Sequence, residues 1–142
     1  MKSIRDERYK LTKAERVTGS KRVASIFLSG KSFISYPLRV VYLPHEQNFG
    51  AKCSILVTVP KKRLRKAADR NRIKRLVREA YRLNKEITND IEFSADASKL
   101  DIAFVYVKDS LADFNTINKA VQKALKQIAN LIQSRDETEQ AK

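Results

Sequence analysis

Hydrophobic residues recur at helical spacing in three segments of the chain. In residues 20–29, Val23, Ile26 and Phe27 fall at i, i+3 and i+4, with Ser20 as a possible N-cap and Gly30 just past the last turn. Two longer stripes follow, over about 69–84 and about 113–133. They consist of Ile73, Leu76, Val77, Ala80 and Tyr81, and of Phe114, Ile117, Val121, Ala124, Leu125, Ile128 and Ile132. The pattern predicts three amphipathic helices.

Short apolar runs between these stripes are typical of strands. A first strand is possible around 31–34, and the run LRVVYL at 38–43 lies between two prolines. CSILVTV at 53–59 ends at Pro60, and IAFVYV at 102–107 is apolar on both faces, as in a central strand. The order of helix, two or three strands, helix, strand and helix predicts an α+β fold, with helices packed on a small mixed sheet.

The length of 142 residues suits one domain. We expect this domain to cover residues 1–135, with a basic N-terminal arm over about 1–18 and a disordered tail over 136–142. No apolar run approaches the roughly 20 residues that span a bilayer. The first 20 residues also lack the apolar segment of a secretory signal. We therefore expect a cytoplasmic protein without a membrane partner.

Positive charge sets this chain apart, since 30 Lys and Arg against 16 Asp and Glu give a net charge of +14. The excess is concentrated in residues 61–85, which hold twelve basic residues and two acidic ones. A surface this positive favours a polyanionic partner, because neutralised phosphates release their condensed counterions. Composition alone does not distinguish RNA from DNA or from an acidic membrane.

Residues suited to protein-based catalysis are scarce. His45 is the only histidine and Cys53 the only cysteine, which excludes an internal disulfide and a Cys/His zinc cluster. We interpret His45 as an exposed loop residue and Cys53 as a small apolar residue of a strand. Four carboxylates are interpreted as part of an acidic, solubilising loop: Asp90, Glu92, Asp96 and Asp101. No catalytic residue and no metal ligand is assigned.

The helix predicted over 69–84 carries the strongest functional signal. Opposite its apolar stripe lies a nearly unbroken cationic ridge, formed by Lys74, Arg75, Arg78 and Arg82, with Arg70 and Arg72 at its margins. A solvated helix face usually mixes both signs of charge. Here only Asp69 and Glu79 interrupt the ridge, and the preceding loop is also basic. The pattern favours nucleic-acid contact, with arginine suited to bidentate binding of phosphate.

Two aromatic residues have alternative interpretations. Phe27 in the first helix and Tyr42 in the strand 38–43 are core residues if their side chains face the interior, as most aromatic side chains of a small domain do. The run 38–43 is apolar on both alternating faces, so one face could instead form a groove. In that case both rings would be exposed platforms for single-stranded RNA.

The segment RNRIKRLVREAY at 70–81 resembles the Arg-Asn-Arg helix of the bacterial ribonuclease P protein component. Supporting matches are Phe27 just before Gly30, the strand LRVVYLP, and SILVTVPKK leading into the basic loop. The resemblance covers roughly residues 10–132. It implies an α-β-β-β-α-β-α two-layer sandwich with a left-handed β-α-β crossover.

The resemblance also implies a function. Such a protein is the non-catalytic subunit of an endoribonuclease in which the RNA performs hydrolysis with Mg²⁺, and no cofactor is bound by the protein alone. The protein binds the ribonuclease P RNA and the 5′ leader of precursor tRNA, and we infer no obligatory protein partner. The residues implied to face the catalytic RNA are Arg70, Asn71, Arg72, Lys74, Arg75 and Arg78. Those implied to form the leader cleft are Phe27, Val40, Tyr42, Lys61 and Lys62.

Two other functions are compatible with the charge pattern. A structural RNA-binding protein of the ribosomal type would share the charge and the fold but would have no use for an exposed aromatic cleft. A DNA-binding protein could insert the helix over 69–84 into a major groove. That helix offers Asn71 as its main base-reading side chain, so its sequence specificity would be poor.

Overall fold

The computed structural model describes residues 11–89, 91 and 98–140. A short 3-10 turn at Lys13–Glu15 precedes the first helix. The helices are α1 Ser20–Ser29, α2 Ala67–Asn84, α3 Glu86–Asn89 and α4 Phe114–Gln140, and the strands are β1 Lys31–Ser35, β2 Leu38–His45, β3 Cys53–Thr58 and β4 Lys99–Tyr106. The predicted order of elements is confirmed, including the first strand. The short α3 follows α2 almost directly, in the polar segment 86–99 that the sequence leaves open as a loop or a helix extension.

The four strands form one mixed sheet in the order β1-β2-β4-β3. β2 pairs antiparallel with both neighbours, placing Val40 opposite Phe33 on one side and Phe104 on the other. β3 pairs parallel with β4, so α2 and α3 belong to the connection between two neighbouring parallel strands. β4 is a central strand, as its apolar character on both faces predicted.

The main core lies between one face of the sheet and the helices α2 and α4. Alternate residues of β2 and β4 point into it, and Val40, Ile102 and Phe104 are completely buried there. Ile73 and Val77 from α2 and Ile117 from α4 cover them. Both long helices bury the stripes predicted from their spacing, and their polar faces are therefore left to the solvent.

The helix α1 packs on the opposite face of the sheet. Its only fully buried residue, Ile26, contacts a smaller cluster that includes Val41 and Ala103. Gly30 follows α1 with φ −74°, so it is not needed for a left-handed turn. A β-carbon at this position would clash with the carbonyl oxygen of Ile26 in the last turn of α1 and would lie 2.9 Å from the carbonyl oxygen of Tyr42. Glycine is therefore required because the last turn of α1 and the strand β2 both approach this position so closely.

The predicted N-terminal arm and C-terminal tail lie only partly within the described residues. Within the arm predicted over 1–18, the described residues pack on the open edge of β3: the Val17 amide donates to the Ile55 carbonyl at 2.8 Å, and Leu11 is buried. Residues 1–10 lie outside the described residues. At the other end, α4 continues to Gln140 through most of the predicted tail of 136–142, whose last two residues are also outside the described part.

Candidate nucleic-acid interface

The outer side of α2 presents the residues that the sequence assigned to nucleic acid. Asn71, Arg72 and Arg75 are exposed, while Lys74 and Arg78 are half-buried at the edges. We call these five residues the α2 basic face. They point to solvent because the other side of the same helix, with Ile73 and Val77 fully buried, is committed to the core.

The charges of the α2 basic face are not neutralised within the described part of the protein. Arg72, Lys74, Arg75 and Arg78 form no ion pair with another described residue. Farther along the helix, Arg82 pairs with Glu79. A ridge of uncompensated cations is electrostatically unfavourable for the free protein and attracts a polyanion.

Arg70 is used differently from its neighbours. Its Nη1 donates to the carbonyl oxygens of Leu64 at 3.0 Å and Arg65 at 2.8 Å. The guanidinium thereby holds the basic loop against the first turn of α2. The structure thus gives Arg70 a role in ordering the loop before the helix, which its sequence position did not reveal.

Arg16 adds a charge beside α2 that sequence reasoning did not single out. Partial burial and the nearby Arg16 guanidinium lower the pKa of Arg78 from its ordinary value. Arg16 reaches this position because its backbone forms a parallel bridge with Ile55 at the edge of β3. The only signal in the sequence was the general excess of basic residues before α1.

The basic loop lies between β3 and α2. Lys61 and Lys62 are exposed immediately after β3. The loop borders an open groove of about 410 Å³ whose lining includes Lys62, Lys66 and Leu111. Arg63 is held by Asp109 at 3.0 Å. The loop therefore extends the positive surface beyond the first turn of α2.

The structure does not bring the predicted cleft residues together. Val40 is completely buried and Tyr42 is only 6% exposed, both in the core beneath α2 and α4. The Tyr42 ring contacts Phe33 edge-on, with ring centroids 6.1 Å apart. Phe27 is 42% exposed on α1, on the opposite face of the sheet. The expectation of an exposed Tyr42 platform is corrected, because the even-numbered residues of β2 face the core.

The face of the sheet on α1's side is only partly covered. The odd-numbered residues of β2 point to it: Val41 lies beneath α1, whereas Arg39 is exposed. Ile34, paired with Arg39 in the β1–β2 register, is 60% exposed. This surface combines an aromatic ring at Phe27, an apolar side chain and a cation. This surface uses the odd-numbered residues of β2, whereas the predicted cleft residues Val40 and Tyr42 are the even-numbered ones on the opposite face of the strand.

A buried ion pair anchors α1 to this face of the sheet. Arg22 donates to both carboxylate oxygens of Asp101, at 2.7 and 2.9 Å, and its guanidinium lies 3.8 Å from the ring centre of Phe49. His45 Nε2 lies 3.1 Å from Asp101 Oδ1. Neither His45 nor Asp101 is the exposed loop residue that the sequence suggested. Asp90, Glu92 and Asp96 lie outside the described residues.

Cys53 is buried, in agreement with its interpretation as a small apolar residue of a strand. Burial raises the pKa of its thiol to about 12, and burial also raises the pKa of the hydrogen-bonded Tyr81. Across the described part of the chain, no three His, Cys, Asp or Glu residues cluster as a metal site. None of the helices found there is long and apolar enough to span a membrane.

Comparisons with known proteins agree with the resemblance of the motif helix. The family model "Ribonuclease P" matches residues 11–129. A ribonuclease P protein component from Porphyromonas gingivalis is 47% identical over 124 residues, covering 87% of this chain and 90% of the relative. One from Chlorobaculum tepidum is 40% identical over 104 residues, covering 68% of this chain and 66% of the relative.

Solved structures share the fold. The ribonuclease P protein of Thermotoga maritima superposes with a TM-score of 0.62 at 27% identity, covering 80% of this chain and 96% of that protein. The Staphylococcus aureus protein gives a TM-score of 0.58 at 22% identity, covering 84% and 99%, and supports the fold alone. Since the family model matches residues 11–129 and the helix with the Arg-Asn-Arg motif forms the α2 basic face, the chain belongs to the family of ribonuclease P protein components.

Proposed function

We propose that this chain binds the catalytic RNA of ribonuclease P through the α2 basic face, and so acts as the protein subunit in 5′ maturation of tRNA. The observation that carries the proposal is that the four cations of the α2 basic face form no ion pair with another described residue. Phosphates of a folded RNA would supply the missing counter-charges, and the arginines can contact them in a bidentate manner. Arg70 would contribute by ordering the basic loop.

The 5′ leader of precursor tRNA is the second proposed ligand. Support comes from the partly open face beside α1, where Phe27 offers a ring for stacking and Arg39 offers a charge for the backbone. The exposed Lys61 and Lys62 would add charge at the rim. Val40 and Tyr42 support this surface only from the other side of the sheet, as core residues.

The chemistry of hydrolysis is assigned to the RNA subunit, with Mg²⁺ bound there. The described residues offer no fit for a protein-held divalent cation, since their carboxylates do not cluster and Asp101 is occupied by Arg22. Mg²⁺ would stabilise negative charge on the reacting phosphate when bound to the RNA. The protein would position the substrate and screen repulsion between the two RNAs. A ribosomal-type role is not favoured by relatives that are ribonuclease P components.

Cleavage of precursor tRNA tests this function. The cognate ribonuclease P RNA is assayed at low Mg²⁺ with increasing amounts of the protein. We expect the protein to raise the cleavage rate, and Arg72→Ala/Arg75→Ala to require a higher protein concentration for the same rate. A rate that is independent of the protein at every concentration would contradict the proposal.

A further inference from the structure

A polar stripe with three lysines and two asparagines runs along α4 and is not part of the predicted RNA-binding set. At about 100° per residue, its five members fall within a sector of roughly 80°. All five are exposed, and no acidic residue occurs between positions 114 and 132. We call this set the α4 stripe; it consists of Asn115, Lys119, Lys123, Lys126 and Asn130.

The α4 stripe has the chemistry of a surface for a phosphate backbone. Lys119, Lys123 and Lys126 form no ion pair with another described residue, and they span roughly 10 Å along the helix axis. Asn115 and Asn130 add neutral hydrogen-bonding groups at its ends. An anionic lipid surface is a poorer fit, because a helix lying on a membrane needs a free apolar face. The apolar face of α4 is consumed by the core, with Ile117 and Ile128 fully buried.

The position of the α4 stripe connects it with the α2 basic face. The two helices lie side by side over the same face of the sheet, and Asn84 of α2 links them. Its Nδ2 donates to Asn118 Oδ1 at 2.7 Å, and its Oδ1 accepts from Gln122 Nε2 at 2.9 Å. Both outer surfaces therefore belong to one helical layer, on the side of the sheet away from α1.

We infer that the α4 stripe is a second contact surface for the sugar-phosphate backbone of the RNA bound by the α2 basic face. The inference rests on the proposed function, since it assigns both surfaces to one RNA. Binding here would be independent of base sequence, because lysine and amide contacts to phosphate and ribose carry no direct base readout. The contact would widen the protein's footprint on a structured RNA.

Salt-dependent binding to a transcript of the cognate ribonuclease P RNA, without tRNA, tests the inference. The slope of log K against log salt is negative, and each lost phosphate contact reduces its magnitude by about 0.7 to 0.9. At roughly 0.15 M salt this corresponds to about four- to five-fold in affinity per contact. We therefore expect Lys119→Gln/Lys123→Gln to weaken binding by roughly 15- to 30-fold and to reduce the magnitude of the slope by about 1.4 to 1.8.

Two matched variants serve as controls. Lys119→Arg/Lys123→Arg keeps both charges and should bind as the unmodified protein does. Lys21→Gln/Lys31→Gln removes two exposed charges on α1 and β1, away from the α2–α4 layer, and should leave the affinity and slope nearly unchanged. Circular dichroism melts of all variants check that the fold is retained.

The outcomes separate this inference from the function on which it rests. If Arg72→Gln/Arg75→Gln weakens binding while the α4 variant binds normally, the α4 surface is wrong and the proposed function stands. If the α4 variant loses no more RNA affinity than the Lys21→Gln/Lys31→Gln control, the inference is also overturned. The same holds if the α4 variant loses binding to anionic lipid vesicles but keeps its affinity for the RNA. If neither helix variant alters binding, the proposed function fails as well.

Discussion

Replacing Tyr42 and Phe27 separately by alanine tests which aromatic side chain belongs to the core and which to the ligand surface. Tyr42 is 6% exposed and contacts Phe33, whereas Phe27 is 42% exposed on the other side of the sheet. Truncating a large buried aromatic costs about 3 to 5 kcal/mol. At roughly 2 to 4 °C per kcal/mol for a domain of this size, Tyr42→Ala should lower Tm by about 6 to 20 °C.

Phe27→Ala should have a much smaller effect on stability. Complete burial of a large apolar side chain stabilises a protein by about 1.5 to 3 kcal/mol. Phe27 is only a little more than half buried, so it contributes a little more than half of this free energy. Its loss of stability should therefore be about 1 to 2 kcal/mol. For binding of precursor tRNA the order should be reversed, with Phe27→Ala having the larger effect. Stacking of one base on an aromatic ring is worth about 1 to 3 kcal/mol.

The assay combines thermal melts with the affinities of the reconstituted enzyme for precursor and mature tRNA. Phe27→Ala should weaken precursor binding by roughly five- to a hundred-fold and leave mature tRNA binding unchanged. Tyr42→Ala should lower Tm without distinguishing the two tRNAs. The reasoning is refuted if Tyr42→Ala melts normally and loses only precursor affinity. Normal precursor affinity of Phe27→Ala would refute the stacking role of Phe27.

Four further outcomes follow from the structure. Arg72→Ala/Arg75→Ala should weaken binding to the catalytic RNA and reduce the salt slope by about 0.7 to 0.9 per lost contact; weaker binding at an unchanged slope would contradict the electrostatic role. The protein freed of RNA should leave precursor tRNA intact in Mg²⁺, and cleavage that survives nuclease treatment would contradict RNA catalysis. Asp101→Ala leaves Arg22 buried without its counter-charge and should lower the free energy of unfolding in urea by about 3 to 5 kcal/mol. Because burial raises the pKa of Cys53 from 9.0 to about 12, its thiol should react with an alkylating reagent at pH 8 only after unfolding, and its contribution to stability should be complete below pH 9 and decline as the pH rises towards 12.

The helices and their exposed faces could be predicted from the sequence because helical periodicity is a local property. The spacing of Ile73, Val77 and Ala80 determines which side of α2 is buried, and the arginines on the other side then face solvent wherever the helix packs. The same reasoning holds for Ile117 and Ile128 in α4. The position of the α2 basic face was therefore largely determined by the sequence.

The assignment of faces in β2 was decided only by the tertiary structure. Residues 38–43 are apolar on both alternations, so period-two spacing alone cannot say which set faces the larger core. Pairing with β1 and β4 and coverage by α2 and α4 place Val40 and Tyr42 inside. A strand that offers two apolar faces is oriented by what covers each face.

Polar contacts between distant segments of the chain could not be predicted from the sequence either. Arg22 and Asp101 are 79 residues apart, and Asp101 follows an acidic stretch that is typical of a solvated loop. Likewise, Arg16 reaches Arg78 only because the segment before α1 pairs with the edge of β3. Charge and periodicity describe what each segment can do by itself, whereas burial and pairing depend on which distant segments the folded chain brings into contact.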